Sequence, residues 1–173
     1  MRNIWITSDT HFSHNNILKF ETDGQSRGQL FKNIHHMNSE LIDRWNSVVK
    51  QGDKVYHLGD VSMGNPATLG LIMNRLNGSK RLIVGNHDDV KFLTKGGWFQ
   101  KVMMWRIFKE HNIVLSHVPL REDTFRKVEY NVHGHIHYHN PPTKQHINVC
   151  VERTDYTPVH IEEVINFGKA QWT

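Results

Sequence analysis

Ile4-Trp5-Ile6-Thr7-Ser8-Asp9-Thr10-His11 sets four β-branched or aromatic residues directly before a carboxylate and an imidazole. Such a run reads as a short strand whose carboxyl end carries polar chemistry. The pattern returns twice: Val55-Tyr56-His57-Leu58 runs into Gly59-Asp60, and Arg81-Leu82-Ile83-Val84 runs into Gly85-Asn86-His87-Asp88. Between these strands lie helical periodicities. Ile34, Met37, Leu41, Trp45 and Val48 share one face over residues 34–49, with Gly52 beyond them. Asn65 and Pro66 start a second helix with Leu69, Ile72, Met73 and Leu76 inward and Gly78 as its stop. The first half is therefore β-α-β-α-β, the order of parallel crossovers.

The second half is richer in strands, at 102–108, 113–116, 130–133 and 146–149, with a closing helix over about 160–167 ended by Gly168. Short connections there predict a mixed or antiparallel sheet. Two sheets packed together with outer helices satisfy both halves. No repeat, low-complexity tract or linker divides the chain, and 173 residues suit a single domain spanning 1–173. The single cysteine, Cys150, excludes an internal disulfide and a cysteine-based zinc site, and suits a reducing compartment. The apolar runs are too short for a membrane-spanning helix. No basic region with a long apolar stretch precedes the first strand, so a cytoplasmic protein is expected. A net charge of +4 favours anionic ligands mildly, and no dense basic run or nucleic-acid-binding signature accompanies it, so stable nucleic-acid binding is not indicated.

Fourteen histidines are the stronger anomaly, since histidine is the commonest metal ligand and acid–base group near neutral pH. Five apolar runs end in donors: Asp9 and His11, Asp60, Asn86 with His87 and Asp88, His117, and His135 with His137. In open α/β sheets, ligands bind at that end of the strands. Residues two apart on extended chain point the same way, so Asp9 and His11 are expected to share a partner, as are His135 and His137. Glycines before Asp60, Asn86 and His135 allow sharp turns. Oxygen and nitrogen donors without thiolate suit manganese, iron, zinc, nickel or cobalt. Asp9, His11, Asp60, Asn86, His117, His135 and His137 exceed what one tetrahedral ion needs, and two ions sharing a carboxylate would use them all.

The ordered set D-x-H, G-D, G-N-H-D, H and G-H-x-H, over residues 9–137, resembles the calcineurin-like metallophosphoesterase superfamily. Ser8-Asp9-Thr10-His11-Phe12-Ser13-His14-Asn15-Asn16-Ile17, with Val55 to Asp60, is similar to its small single-domain members in bacteria and phages. The resemblance implies a two-sheet β-sandwich flanked by helices, in four layers, αββα. It implies two divalent ions, manganese first with iron, zinc, nickel or cobalt as alternatives. Asp9, His11 and His137 would hold one, Asn86, His117 and His135 the other, and Asp60 would bridge. A hydroxide between them would attack phosphorus in line. His87 would act as general acid, oriented by Asp88. The implied substrate is a phosphoester, preferentially a phosphodiester of small or terminal nucleotides. A phosphomonoester, a protein phosphate or a non-catalytic metal scaffold are the alternatives. A metallo-β-lactamase-like hydrolase is disfavoured, because its H-x-H-x-D-H run lacks its Asp-His ending here.

The remaining candidates are weighed singly. His14, three residues past His11, reads equally as a phosphate contact or a helix-start residue. Arg27, Lys32, Arg121, Arg126 and Lys127 lie in connections where solvated charge is the default, with Arg121 and Arg126 the preferred substrate contacts because they follow His117. His57 reads as structural, and His133 and His139 as solvent-facing or as supports for ligands. Cys150 reads as a small buried residue, and Trp98 and Trp105 as core rather than groove.

Overall fold

The computed structural model describes residues 3–125 and 127–172, so Arg126 lies outside the described residues. Eleven strands are found among the described residues: β1 (Ile4–Thr7), β2 (Glu21–Thr22), β3 (Gln25–Ser26), β4 (Lys54–His57), β5 (Ser79–Ile83), β6 (Phe99–Met103), β7 (Trp105–Phe108), β8 (Ile113–Ser116), β9 (Tyr130–His133), β10 (His146–Asn148) and β11 (Val159–His160). The α-helices are α1 (Ile34–Val48), α2 (Pro66–Arg75), α3 (Val90–Lys95) and α4 (Val164–Ala170). Asn33 caps α1 by accepting from the His36 N–H, and Asn65 caps α2 by accepting from the Ala67 N–H, with Pro66 in the first turn.

One sheet has the order β11-β1-β4-β5-β6 and the other β10-β9-β8-β7, with β2–β3 a separate hairpin outside both. In the first sheet β1, β4, β5 and β6 are parallel and β11 is antiparallel to β1. In the second, β7 is antiparallel to β8 while β8, β9 and β10 run parallel. Alternation along the strands explains the layers. Ile6, Tyr56 and Ile83 face Phe108, Ile113, Leu115, Val132 and Ile147 of the second sheet, while Val55 and Leu82 turn the other way onto α1 and α2.

The expected α/β architecture with mixed sheets and flanking helices is present, with three differences. First, Val114 on the outer face of the second sheet packs on Phe125 and Val128 of a loop, while α4 packs against β10. Second, residues 102–108 are two strands, not one. The chain leaves the first sheet at Met103 and enters the second at Trp105, a change of pairing partner that side-chain periodicity does not encode. Third, the closing helix is Val164–Ala170 and Gly168 lies within it rather than ending it. A Cβ at Gly168 would strike the Ile147 side chain, so its bareness serves helix–sheet contact.

His57 is buried as expected. Gly59 donates its N–H to Nδ1, which leaves the proton on Nε2, 2.9 Å from the Thr10 hydroxyl; that hydroxyl donates to the Val61 carbonyl. Burial, with the nearby His117, pushes the His57 pKa from 6.5 down to about 3. The unfolded chain therefore takes up a proton that the native chain refuses, and stability falls as the pH drops from about 6.5 toward 3. Between pH 7 and pH 5, wild type stripped of metal should lose about 2 kcal/mol more than His57→Gln does, read by urea unfolding. Equal losses would show that His57 does not titrate across folding.

Candidate metal centre

The donors that end the strands converge. Asp9, His11 and His137 form one cluster and Asp60, His117 and His135 a second, with the donor atoms of each within 4.8 Å of one another. Asp9 and Asp60 follow β1 and β4, which are neighbours, and the Asp9 and His11 N–H groups donate to the Gly59 and Asp60 carbonyls. His117 follows β8, and His135 and His137 follow its neighbour β9. The two sheets thus bring opposite halves of each cluster.

Five of these six residues stand in the left-handed region: Asp9 (φ 57°), His11 (φ 48°), Asp60 (φ 56°), His135 (φ 72°) and His137 (φ 49°). Each costs about 1 kcal/mol or more in a residue with a side chain. Such backbone corrects the extended-chain expectation. His135 and His137 do not share a partner; they point to different clusters. The glycines are also used differently. Gly59 adopts φ 96°, whereas Gly85 and Gly134 are needed because a Cβ there would collide with Asp60 and Asp9 respectively.

The carboxylates are aimed by division of labour between their oxygens. Asp9 Oδ2 accepts from the Ser8 hydroxyl, the His135 N–H (2.9 Å) and the Cys150 thiol (3.3 Å). Asp9 Oδ1 is buried without a hydrogen-bond partner among the described residues, 3.8 Å from His11 Nε2 and 3.9 Å from His137 Nε2. Asp60 Oδ1 accepts from the His87 N–H (2.9 Å), while its Oδ2 lies 3.7 Å from His11 Nε2 and 3.5 Å from His117 Nε2. That oxygen therefore faces both clusters.

A cation fits this donor set. Among the described residues both His11 nitrogens are buried without hydrogen-bond partners, as is Asp9 Oδ1, an arrangement costly for groups that face nothing. His117 Nδ1 donates to the Leu58 carbonyl (2.7 Å), which turns its Nε2 to within 2.8 Å of Asn86 Oδ1 and 3.5 Å of Asp60 Oδ2. Burial, then the charge of Arg27, drives the His11 pKa far down, and burial followed by His117 lowers that of His135, so both present neutral imidazoles. His137 goes the other way: burial opposes its proton, but the hydrogen bond and charge of Glu152 prevail. The two His/Asp clusters suggest a site for two divalent cations, compatible with a metal-dependent hydrolase.

Other expected residues fall as follows. His14 lies beside the site, its ring 5.5 Å from that of His11, and His87 stands exposed at 5.9 Å from His11. Asp88 does not bond the His87 ring. Its carboxylate takes the N–H groups of Asp60, Val61 and Gly85 at 2.8–3.0 Å and so clamps two donor loops together. Arg121 is exposed and paired with Asp123 at 2.8 Å, so the structure does not bring it to the clusters. His133 is fully buried rather than solvent-facing and His139 is exposed. Trp105 is not core; it is 63% exposed.

Two residues escaped the sequence reading. Arg27, read there as a solvated charge, is wholly buried: its Nη2 is 2.6 Å from Glu152 Oε1 and 2.6 Å from the Asp9 carbonyl, and its Nη1 bonds the Thr10 carbonyl. Glu152 in turn accepts from His137 Nδ1 at 2.8 Å, which leaves Nε2 of that ring free to face Asp9. The rule that found the other donors, a polar group just past a strand, also covers Glu152 beyond β10. For Arg27 no local signal exists, because its partner is 125 residues away.

No protein-family model matches the chain. It is 33% identical to "Uncharacterized protein MJ1445" of Methanocaldococcus jannaschii over 95% of its own length and 90% of that protein's. It is 28% identical to "Gene 66 protein" of Mycobacterium phage L5, over 79% of this chain and 78% of that one. Among solved structures, a protein of unknown function, AQ665 from Aquifex aeolicus, superposes with a TM-score of 0.75 at 25% identity, covering 96% of this chain and 99% of that chain. The fold is thus shared with the Aquifex aeolicus protein, and the chain belongs to the family of the Methanocaldococcus jannaschii protein MJ1445.

Proposed function

We propose that the chain is a calcineurin-like dinuclear-metal phosphoesterase, acting on phosphodiesters of small or terminal nucleotides, with manganese as the first metal to test. The observation that carries the reading is Asp60 Oδ2, which lies 3.5 Å from His117 Nε2 of its own cluster and 3.7 Å from His11 Nε2 of the other. Asp9, His11 and His137 would hold one ion, and Asn86, His117 and His135 the other. Two divalent cations, when bound, activate water near neutral pH and offset charge on the attacking and leaving oxygens of an in-line displacement.

The chain's own groups supply the rest. His87 carries the proton for the leaving oxygen: it is exposed at the mouth of the site, and among the described residues its ring has no hydrogen-bond partner. Its backbone N–H on Asp60 Oδ1 ties its position to the shared carboxylate. His14, half-exposed beside His11, contacts the phosphoryl group; burial followed by the charge of His87 lowers its pKa, so it binds as a neutral donor. Asp88 positions the Asp60 and Gly85 loops.

Hydrolysis of bis-p-nitrophenyl phosphate beside p-nitrophenyl phosphate, on protein stripped with EDTA and reloaded with manganese, tests the reading. Metal-dependent turnover mainly of the diester is expected. Two bound metals with no turnover of either ester would remove the phosphoesterase reading. His87→Ala should lower turnover by roughly a hundredfold to a thousandfold while two metals per chain remain, measured by elemental analysis. An emptied site in that variant would make His87 a ligand instead of an acid.

A further inference from the structure

Beside the second cluster lies a groove of about 330 Å³ whose wall includes Asn86 and His117 themselves. Its other side is apolar and open: Met104 is 62% exposed, Trp105 63% and Val118 43%. Three neighbouring apolar side chains left in water next to polar donors mark a binding surface rather than incomplete folding. The fold explains why the indole is bare. Trp105 opens β7, an edge strand, and the residue opposite it on β8 is Ser116, too small to cover a ring. The Ser116 hydroxyl is occupied with the Val118 carbonyl, so it makes no competing demand on a ligand there.

We infer that this groove receives the planar ring of the group esterified to the phosphate, of nucleobase type, by stacking on Trp105. The phosphate end of the inference rests on the phosphoesterase reading above. The ring end rests on the groove alone. Because Asn86 and His117 line both places, a phosphoryl group at the second cluster and a ring in the groove can belong to one molecule. The volume lies at the low end of small-molecule sites and suits one ring system better than a long chain or a peptide. An indole face stacks on any base, and the Met104 thioether packs readily against an aromatic edge.

The test compares two phosphonates that lack a scissile ester bond to phosphorus, an adenosine 5′-methylenephosphonate and methylphosphonate, by calorimetry on manganese-loaded protein. Wild type should bind the adenosine compound roughly tenfold more tightly, and Trp105→Ala should erase that advantage while its affinity for methylphosphonate stays unchanged. Equal affinities in wild type, or an advantage that survives Trp105→Ala, would overturn the inference. So would an equal, Trp105-dependent gain with hexylphosphonate, which would make the groove a chain site. A wild-type dimer that Trp105→Ala turns into a monomer in sedimentation would assign the indole to a second copy and also overturn it. Adenosine alone separates the two readings, since it should quench tryptophan emission in wild type more than in Trp105→Ala. Quenching without turnover of any phosphoester keeps the groove and removes the phosphoesterase; turnover without that difference removes the groove alone.

Discussion

Asp60→Asn should cost the protein both of its metals and at least roughly a thousandfold in hydrolysis of bis-p-nitrophenyl phosphate. On the proposed reading, the Oδ2 that faces His11 and His117 is the one anionic atom common to both ions. An amide in its place carries no charge and offers one acceptor. Loss of metal-derived charge stabilisation amounts to several kcal/mol, at a factor of ten for each 1.4 kcal/mol. The fold should survive, because an amide oxygen still accepts the His87 N–H that Asp60 Oδ1 accepts now. Removing a buried carboxylate also relieves a desolvation cost, so the stripped variant should melt no lower than the stripped wild type. Elemental analysis after dialysis gives the metal content. Two retained metals with near-normal turnover would end the claim that Asp60 joins the clusters.

Arg27→Met should be the most damaging change outside the donor set. Glu152 Oε1 has three partners, Arg27 Nε at 2.8 Å, Arg27 Nη2 at 2.6 Å and His137 Nδ1 at 2.8 Å, and both side chains of the ion pair are about 1% exposed. Burial alone would raise the Glu152 pKa, but the Arg27 charge overrides it and holds the carboxyl at about 2. Without the guanidinium, a charged carboxylate stays in the interior with one partner, at a cost of about 3–5 kcal/mol. For a chain of this size that is a fall in Tm on the order of 10 °C. The Asp9 and Thr10 carbonyls lose their donors as well, and they flank a left-handed Asp9. Metal affinity should drop by roughly tenfold to a hundredfold, as when the supporting partner of a ligating histidine is lost. Arg27→Met with Glu152→Gln should recover more than half of the lost Tm, since the unpaired charge is then gone. Calorimetric melting of the two variants decides it. A single variant that melts within 2 °C or so of wild type would mean that the pair contributes little.

The donors could be read from sequence because each sits at a place with a local signature. Asp9, Asp60, Asn86, His117 and His135 all follow an apolar run, and their type and position are properties of a few adjacent residues. The parallel half of the fold was equally legible from the alternation of strand and helix periods, with Asn65 and Pro66 marking the start of α2. The strand 102–108 was not, because an apolar run is the same whether it pairs with β5 or with β8. Trp105 failed for a related reason. Its burial depends on what stands opposite, and opposite stands Ser116.

Sequence alone determined the inventory: an α/β chain with strand-end oxygen and nitrogen donors and no thiolate among them, enough for two cations. Tertiary structure decided how the inventory is shared. It sent His135 and His137 to different clusters through left-handed backbone, and it turned Asp60 Oδ2 toward both. It also buried Arg27 against Glu152 across 125 residues, and made Asp88 a clamp for backbone N–H groups instead of a partner for His87. Chemistry of type is local and survives in the order of residues. Direction, pairing and desolvation depend on atoms far apart in the chain, and they exist only once the two sheets have closed on each other.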